Sequence, residues 1–283
     1  MSVESGVETG QAGNEASTRF GERWDGTRLL RGGVGTAAFL LVWWVGALFQ
    51  PTYLLPSPGE VAAAFASQAT RPATISLFGV EVRATELLVS LLQSLLHYVP
   101  GLVVGSAFGI GLGLAMGWNS PLDDALTPVT RVLRPIPPLA WIAFAIVWIG
   151  IGHLGAAFIV AIGAFWINFY NAYSGVAGVP QGLLEVAASL GVDGDLRMIR
   201  TVVIPSATPE ILTGLRTSIG QCWMIVVAAE LFGAPGVGYQ IINSAQNLAM
   251  DVSVAYMLVI SVVFLVSDGL FRRLEGRLLE WRT

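Results

Sequence analysis

The chain has 283 residues, of which 54% are hydrophobic and 12% are charged, and its mean hydropathy is +0.68. Soluble domains carry about 25% charged residues, so this composition indicates a membrane protein. The net charge is −4, and all fifteen cationic side chains are arginine. Because a Walker A loop places a lysine on the β- and γ-phosphates, a chain without lysine cannot bind ATP in that way.

The first part of the chain predicts a tail followed by a retained membrane span. Residues 1–33 are polar, partly acidic and rich in glycine and serine at the start, which is typical of a partly disordered tail. An apolar run follows at 34–49. It begins too far from the start for a cleaved signal peptide, so we predict that it stays as the first transmembrane helix.

Five further apolar runs approach the ~20 residues that cross a bilayer. They lie at about 87–117, 134–151, 154–175, 209–232 and 253–272. We expect the external segment 50–86 to contain an interfacial helix near Leu54–Phe65, with Ser57 as N-cap, Pro58 as first helical residue and Glu60 as capping-box partner. The sequence thus predicts an all-α polytopic membrane protein with six transmembrane helices, and the tail 273–283 follows the last span.

The arginines predict the orientation of these spans. With the N-terminus inside, twelve arginines fall in cytoplasmic segments and two in external ones, Arg71 and Arg83. Cytoplasmic loops carry the excess of positive charge in membrane proteins. Both termini and the loop 176–206 are therefore predicted to be cytoplasmic.

Glycines recur every four residues in the second span and indicate close helix packing. They are Gly101, Gly105, Gly109, Gly113 and Gly117. Such a ridge lets another helix approach closely. The same stretch contains GIGLG, a fragment of a dinucleotide fingerprint, but no strand precedes it, so we favour helix packing.

Polar residues inside membrane spans are costly and suggest function. The candidates for lining a solute path are Asn168, Asn171, Tyr173, Gln221, Trp223 and Glu230. Hydrogen bonding between helices is the alternative role for each. Glu230 and Asp268 lie near span ends, where we expect water to reach them.

No catalytic or metal-binding constellation is apparent in the sequence. His97 and His153 have no second ligand at metal spacing, so we expect no metal site. Cys222 lies in an apolar run and is expected to be a small buried hydrophobic residue. No nucleophile–base pair is evident, so the sequence does not favour an enzyme.

The longest polar interruption in the second half of the chain reads EVAASLGVDGDLRMIRTVVIP, from Glu185 to Pro205. We predict a short helix that stops at Gly191, a turn, and a second amphipathic helix that ends at Ile204-Pro205. Alanines keep this knob slim enough to enter a groove on another protein. The alternative is a loop folded against its own membrane base.

This segment resembles the EAA loop of bacterial ABC-importer permeases. Further motifs look like the nitrate, sulfonate, taurine and bicarbonate branch of that family: LPSP, RPIPPLAW, VWIGIG, PEILTGLR, VVAAELFG, GVGY and LLEW. The resemblance covers residues 50–282. One departure is that Gly191 and Pro205 are one residue further apart than in the family pattern, and we place the extra residue in the turn Val192–Asp195.

The resemblance implies the type I ABC-importer permease fold and a prokaryotic inner-membrane location. It implies a second permease copy, two ATP-binding subunits that carry ATP and Mg²⁺, and an external solute-binding protein; membrane lipid surrounds the chain, and no nucleic acid is expected. It also implies an ATPase-coupling role for Glu185, Ala187, Ala188, Gly191, Arg197, Ile204 and Pro205. The chain itself is then a transport subunit without catalytic residues.

The resemblance narrows the solute only to a class. A small oxyanion such as a sulfonate, taurine or nitrate is the expected solute. Importer permeases for a vitamin precursor or an aromatic acid are an alternative within the family. A stand-alone secondary transporter and a membrane scaffold that only recruits a partner are alternatives from other classes.

Overall fold

The computed structural model describes residues 26–77 and 80–278. The chain divides into two units, Met1–Pro58 and Gly59–Thr283. Most of the predicted N-terminal tail and the end of the C-terminal tail lie outside the described residues. In chain order the elements are α1 (Gly26–Leu48), α2 (Pro58–Thr70), β1 (Pro72–Leu77), β2 (Val80–Thr85), α3 (Glu86–Trp118), α4 (Ser120–Leu133), α5 (Ile142–Trp148), α6 (His153–Ala177), α7 (Gln181–Ser189), α8 (Asp195–Met198), α9 (Ile204–Glu230), α10 (Val237–Gln246) and α11 (Met250–Leu278).

Helix α1 dominates the described part of the first unit. Its stretch Leu30–Leu48 is long and apolar enough to cross a membrane. The Trp43 Nε1 group donates a hydrogen bond to the Pro56 carbonyl oxygen at 2.9 Å. This bond ties the helix to the chain that leaves it.

The second unit begins with a helix and a β-hairpin. Helix α2 starts at Pro58, where the sequence predicted the first helical residue. Strands β1 and β2 pair antiparallel, with Pro72 opposite Thr85. The hairpin was not predicted, although the alternating pattern of the stretch VEVRAT is typical of a strand. It is an addition to a chain that is otherwise helical in its described part.

The described residues contain five helices that could span a membrane, and a sixth span if one bent pair is counted. That pair is Ser120–Leu133 and Pro138–Trp148, which meet at 85°. The predicted third span at 134–151 is therefore a short 3₁₀ turn, Pro138–Trp141, followed by α5. Prolines lack a backbone N–H and interrupt a helix; Pro135 and Pro137 precede this turn and Pro138 begins it.

The glycine ridge of α3 lies directly on α6. A Cβ atom added at Gly101 would stand 2.6 Å from the Ala157 carbonyl oxygen, and one at Gly113 would stand 2.5 Å from the Phe169 carbonyl oxygen. At Gly105 it would overlap the Ala161 backbone. The two helices thus touch backbone to backbone, which only glycine permits.

Helix α9 completes the membrane core against α3 and α6. Trp223 is 1% exposed and stacks on Tyr98 with ring centroids 4.1 Å apart. The Tyr98 hydroxyl donates to the Ile219 carbonyl oxygen at 2.9 Å. Cys222 is fully buried in the same cluster. These contacts fix the rotation of α9 and therefore which of its side chains face outward.

Candidate functional site

The segment between α6 and α9 forms a compact knob, which we call the coupling segment (residues 181–203). Helix α7 ends in a Schellman motif, because the Gly191 N–H donates to the Ala188 carbonyl and the Val192 N–H to the Ala187 carbonyl. Gly191 has a φ of +82°, as this motif requires. The Arg197 Nη1 group donates to the Gly191 carbonyl oxygen at 3.2 Å and bridges the two halves of the knob.

One side of the coupling segment packs on the membrane spans. Val203 is 1% exposed and clusters with Val176 and Ala207, and the partly buried Leu184 and Met198 pack against this cluster. Ala187 is buried as well. These contacts fix the coupling segment against the membrane spans.

The other side of the coupling segment exposes apolar side chains. They are Leu183, Val186, Leu190 and Leu196. Leu190 is the most open of them, at 79% exposed. Glu185, Ala188 and Arg197 lie on the exposed surface as well. A cluster of exposed apolar side chains outside the membrane spans marks an interaction surface.

The second half of the coupling segment runs on into the membrane without a break. Helix α8, a π-helical turn at Ile199–Val203 and α9 form one helical stretch, Asp195–Glu230. The prediction that Ile204-Pro205 ends this helix was wrong. The Ile204 N–H bonds to the Ile199 carbonyl in the wider π-helical pattern, and this turn precedes Pro205. A π-helical turn holds one more residue than an α-helical turn, so this turn is a second place, besides the predicted turn Val192–Asp195, that has room for the extra residue relative to the family pattern.

Two cavities of about 500 and 530 Å³ flank the exposed face of α9. They share Thr217, Gln221 and Met224, which follow one another at helical spacing. The first cavity is also lined by Arg134, Pro137, Pro138, Gly163 and Trp166. The second is lined by Arg216, Trp223, Ser261 and Asp268, among others. Volumes of this size suit small-molecule ligands.

The six polar residues predicted to line a path occupy different environments. Gln221 lines both cavities and Trp223 lines the second. Asn168 is fully buried and donates to Ser106 Oγ and to the Ala164 carbonyl. Asn171 donates to the Ile167 carbonyl oxygen at 2.8 Å. Asn168 thus bonds between α6 and α3, which is the alternative role that the sequence left open, whereas Asn171 bonds within its own helix.

Tyr173 and Glu230 also engage protein partners. The Tyr173 hydroxyl donates to Asp123 Oδ2 at 2.9 Å and joins α6 to α4. Glu230 is 0% exposed, so the expectation that water reaches its side chain was wrong. Being close to the end of a span did not expose it, because α3 and α10 cover it. Asp268 is partly exposed and forms ion pairs with Arg216 and Arg272.

The structure brings together histidines that sequence reasoning treated as isolated. His97 Nδ1 lies 2.8 Å from Glu230 Oε1, and His97 Nε2 lies 2.7 Å from His153 Nδ1. The three residues come from α3, α9 and α6. No local spacing signals this cluster, since 133 residues separate the first pair and 56 the second. Among the residues that the structure describes, no group of three or more His, Cys, Asp or Glu could hold a metal ion.

Solved structures of ABC transporters share this fold. The MetNI methionine ABC transporter in an inward-facing conformation matches with a TM-score of 0.53 at 19% identity, covering 66% of this chain and 95% of that chain. An amino acid ABC transporter crystallised with histidines matches with a TM-score of 0.56 at 20% identity, covering 68% and 93%. The helical arrangement is therefore that of a type I ABC-importer permease.

Residues 84–280 match the model of the family described as binding-protein-dependent transport system inner membrane component, and the chain belongs to that family. Among its relatives, a putative ABC transporter permease of Methanocaldococcus jannaschii is 40% identical over 67% of this chain and 71% of its own. The taurine transport system permease of Escherichia coli is 34% identical over 94% of both chains. A nitrate import permease of Synechocystis is 30% identical over 88% of this chain and 89% of its own.

Proposed function

We propose that this chain is the membrane subunit of an ATP-driven importer of small oxyanions. Two copies enclose the solute path, two separate ATP-binding subunits dock at the coupling segments, and an external solute-binding protein delivers the solute. The observation that carries the proposal is the coupling segment itself. It exposes apolar side chains to a partner and is continuous with a membrane-spanning helix.

The orientation follows from the arginine distribution. Twelve arginines in the proposed cytoplasmic segments against two in the external ones favour cytoplasmic termini. The coupling segment then faces the cytoplasm, where ATP is found. The hairpin β1–β2 and helix α10 face outward, on the side of the solute-binding protein.

The ATP chemistry belongs to the partner subunits. This chain has no lysine for a phosphate loop, and ATP and Mg²⁺ are held by the docked ATPase. Closure of the two ATPases pushes the coupling segments together. Because the base of each segment packs on the spans through Val203 and Ala207, this movement passes to the membrane helices.

The solute path runs along the exposed face of α9. Gln221 stands on the wall common to both cavities, and Trp223 borders the second. Among the described residues that line the first cavity, Arg134 is the one ionisable side chain. Its guanidinium lies 4.2 Å from the centre of the Tyr170 ring, which holds the charge in place. A fixed guanidinium recognises sulfonate, nitrate or carboxylate oxygens well, in keeping with the taurine and nitrate permeases among the relatives.

An aromatic acid is the second candidate solute. Trp166 lines the same cavity as Arg134, so one site offers a ring face beside a cation. Uptake measured with a sulfonate and with an aromatic carboxylate distinguishes the two candidates.

Replacing Arg134 with glutamine is expected to reduce uptake of the anionic solute about tenfold or more, because one charge-assisted hydrogen bond is lost. Uptake is measured in proteoliposomes that contain the complete transporter. The matched control is Arg131→Gln, which removes an exposed cation one turn earlier on α4. Equal loss in both variants contradicts a specific role for Arg134.

A tagged chain is expected to bring an ATPase with it on purification in mild detergent. Reconstituted uptake is expected to require ATP and the binding protein together. Uptake that runs on an ion gradient alone identifies a secondary transporter and overturns the proposal. A complex that hydrolyses ATP but moves none of the candidate solutes supports the scaffold alternative.

A further inference from the structure

A chain of three ionisable side chains joins α9, α3 and α6 close to α10. It runs from Glu230 through His97 to His153. Glu230 and His97 are both 0% exposed, whereas His153 is exposed. Ionisable groups buried within membrane spans are expensive and are retained for function. The coupling segment and the cavities make no use of this chain of side chains.

The buried end of the chain fixes the start of α10. Glu230 Oε2 accepts hydrogen bonds from the Gly238 N–H at 2.7 Å and from Ser94 Oγ at 3.0 Å. Ser94 Oγ in turn accepts from the Val237 N–H at 2.9 Å. The first backbone N–H groups of α10 therefore donate to the Glu230 carboxylate and to the Ser94 hydroxyl, which the carboxylate orients. Negative charge at a helix N-terminus is favourable.

The packing around Glu230 leaves no room for adjustment. A Cβ atom added at Gly238 would stand 2.9 Å from the Glu230 Cβ, and one at Gly236 would overlap the carboxylate. Helix α10 keeps its place only while the Glu230 carboxylate keeps its orientation. Glu230 is thus a positioning residue for α10.

A fully buried carboxylate needs a counter-charge, and His97 is the group placed to supply it. The described elements around the pair carry few other ionisable groups. Helix α10 has no acid or base, only Tyr239, and α6 contributes only His153 near this end. Helix α11, which packs on α10, brings Tyr256 beside Val237 and Ile241. On α3, Glu86 accepts from Gln240 Nε2 at 3.0 Å, and Tyr98 faces Trp223. Protonated His97 therefore neutralises Glu230, and neutral His97 leaves a net negative charge buried.

The geometry provides a route for that proton. A single proton lies between His97 Nε2 and His153 Nδ1, on either nitrogen. When His153 takes up a proton from solution at Nε2, its Nδ1 proton passes to His97 Nε2. His97 becomes an imidazolium that still donates to Glu230, and His153 is neutral again. One proton is gained, the net charge of the three groups goes from −1 to 0, and neither hydrogen bond breaks.

We propose that Glu230, His97 and His153 form a proton-operated latch for α10. The latch is closed when the three groups hold the additional proton and loosened when they lose it to the external solution. This assignment rests on the proposed function for its orientation, which places His153 and α10 outside. The latch makes release of α10, and with it uptake, sensitive to external pH.

The test measures release of α10 in the complete transporter in proteoliposomes. Cys222→Ala removes the native thiol, and Ser244→Cys places a probe on the buried face of α10. Labelling by a membrane-impermeant maleimide is followed from about pH 5 to about pH 8, the range in which histidine titrates, and is normalised to the exposed control Gln246→Cys. We expect labelling of Ser244→Cys to rise about tenfold towards alkaline external pH.

Two variants separate a proton-operated latch from a merely structural contact. His153→Asn keeps an amide at the Nδ1 position but does not titrate, and is expected to flatten the pH profile. Glu230→Gln replaces the carboxylate that accepts from the Gly238 N–H and from Ser94 Oγ with an amide. In this variant the probe at position 244 is expected to be labelled rapidly at every pH. The latch is overturned if His153→Asn keeps the pH profile of the parent, or if labelling of the parent does not change with external pH.

The same preparation separates this inference from the proposed function. If ATP-dependent uptake is present and labelling does not depend on external pH, the latch is wrong and the importer assignment stands. If labelling follows external pH but uptake does not require ATP, the importer assignment is wrong and the latch stands. A response to internal pH only refutes the orientation on which the latch depends.

Discussion

Gly105→Leu is expected to leave almost no correctly folded chain in the membrane. A Cβ atom at this position overlaps the Ala161 carbonyl oxygen and lies 2.8 Å from the Ala161 Cα. The obstacle is the backbone of α6, which cannot rotate away as a side chain can. Overpacking by a few methylene groups already costs about 1–3 kcal/mol, and here α3 and α6 must separate along their length. Detergent-solubilised yield and thermal stability measure the loss.

The matched control for this prediction lies on the same helix. A Cβ atom at Gly111 meets nothing within 4 Å, and the residue is exposed on the outer face of α3. Gly111→Leu adds the same side chain towards lipid and is expected to keep yield and stability near those of the parent. Comparable yields for the two leucine variants contradict a packing role for the glycine ridge.

Gly191→Trp is expected to abolish ATP-dependent uptake while the chain still inserts and folds. A Cβ atom at Gly191 meets nothing within 4 Å of this chain, so the indole points into the space that the ATPase occupies in our proposal. The φ of +82° adds about 1–2 kcal/mol of local strain for a residue with a side chain. Uptake and copurification of the ATPase are measured on the same membranes.

Gly191→Asn separates strain from bulk in this experiment. The position requires a left-handed backbone whichever residue occupies it. Asparagine adopts that conformation more readily than most residues, and its side chain is small. We expect it to retain most of the uptake. If asparagine is as damaging as tryptophan, backbone conformation and not docking explains the loss; if tryptophan transports normally, the coupling role of this segment is refuted.

Much of the fold was predictable because membrane spans have strong local signals. Apolar length located the spans, and the four-residue glycine period indicated the face of α3 that lies on α6. Helix α2 begins at Pro58, as its capping pattern indicated. The hairpin also had a local signal in the alternating residues of VEVRAT, but apolar length, which marks membrane spans, does not reveal it.

The rest depended on contacts between distant residues or on one irregular turn. Glu230 looked accessible because only its position along the span was known, and the sequence does not show that α10 folds over it. The pairing of His97 with His153 arises from the approach of α3 to α6. Pro205 looked like a helix end because the rule for proline assumes α-helical hydrogen bonding, whereas a π-helical turn precedes it.

The continuous helix from Asp195 to Glu230 has a mechanical consequence. It crosses α6 near Gly214, where a Cβ atom would stand 2.7 Å from the Asn171 Cβ. At ~1.5 Å per residue, about 29 Å of helix lies between this crossing and Asp195, and about 24 Å between it and Glu230. In our proposal, a push on the coupling segment passes along this one helix to the carboxylate that holds α10, and ATP binding and external pH act on its two ends.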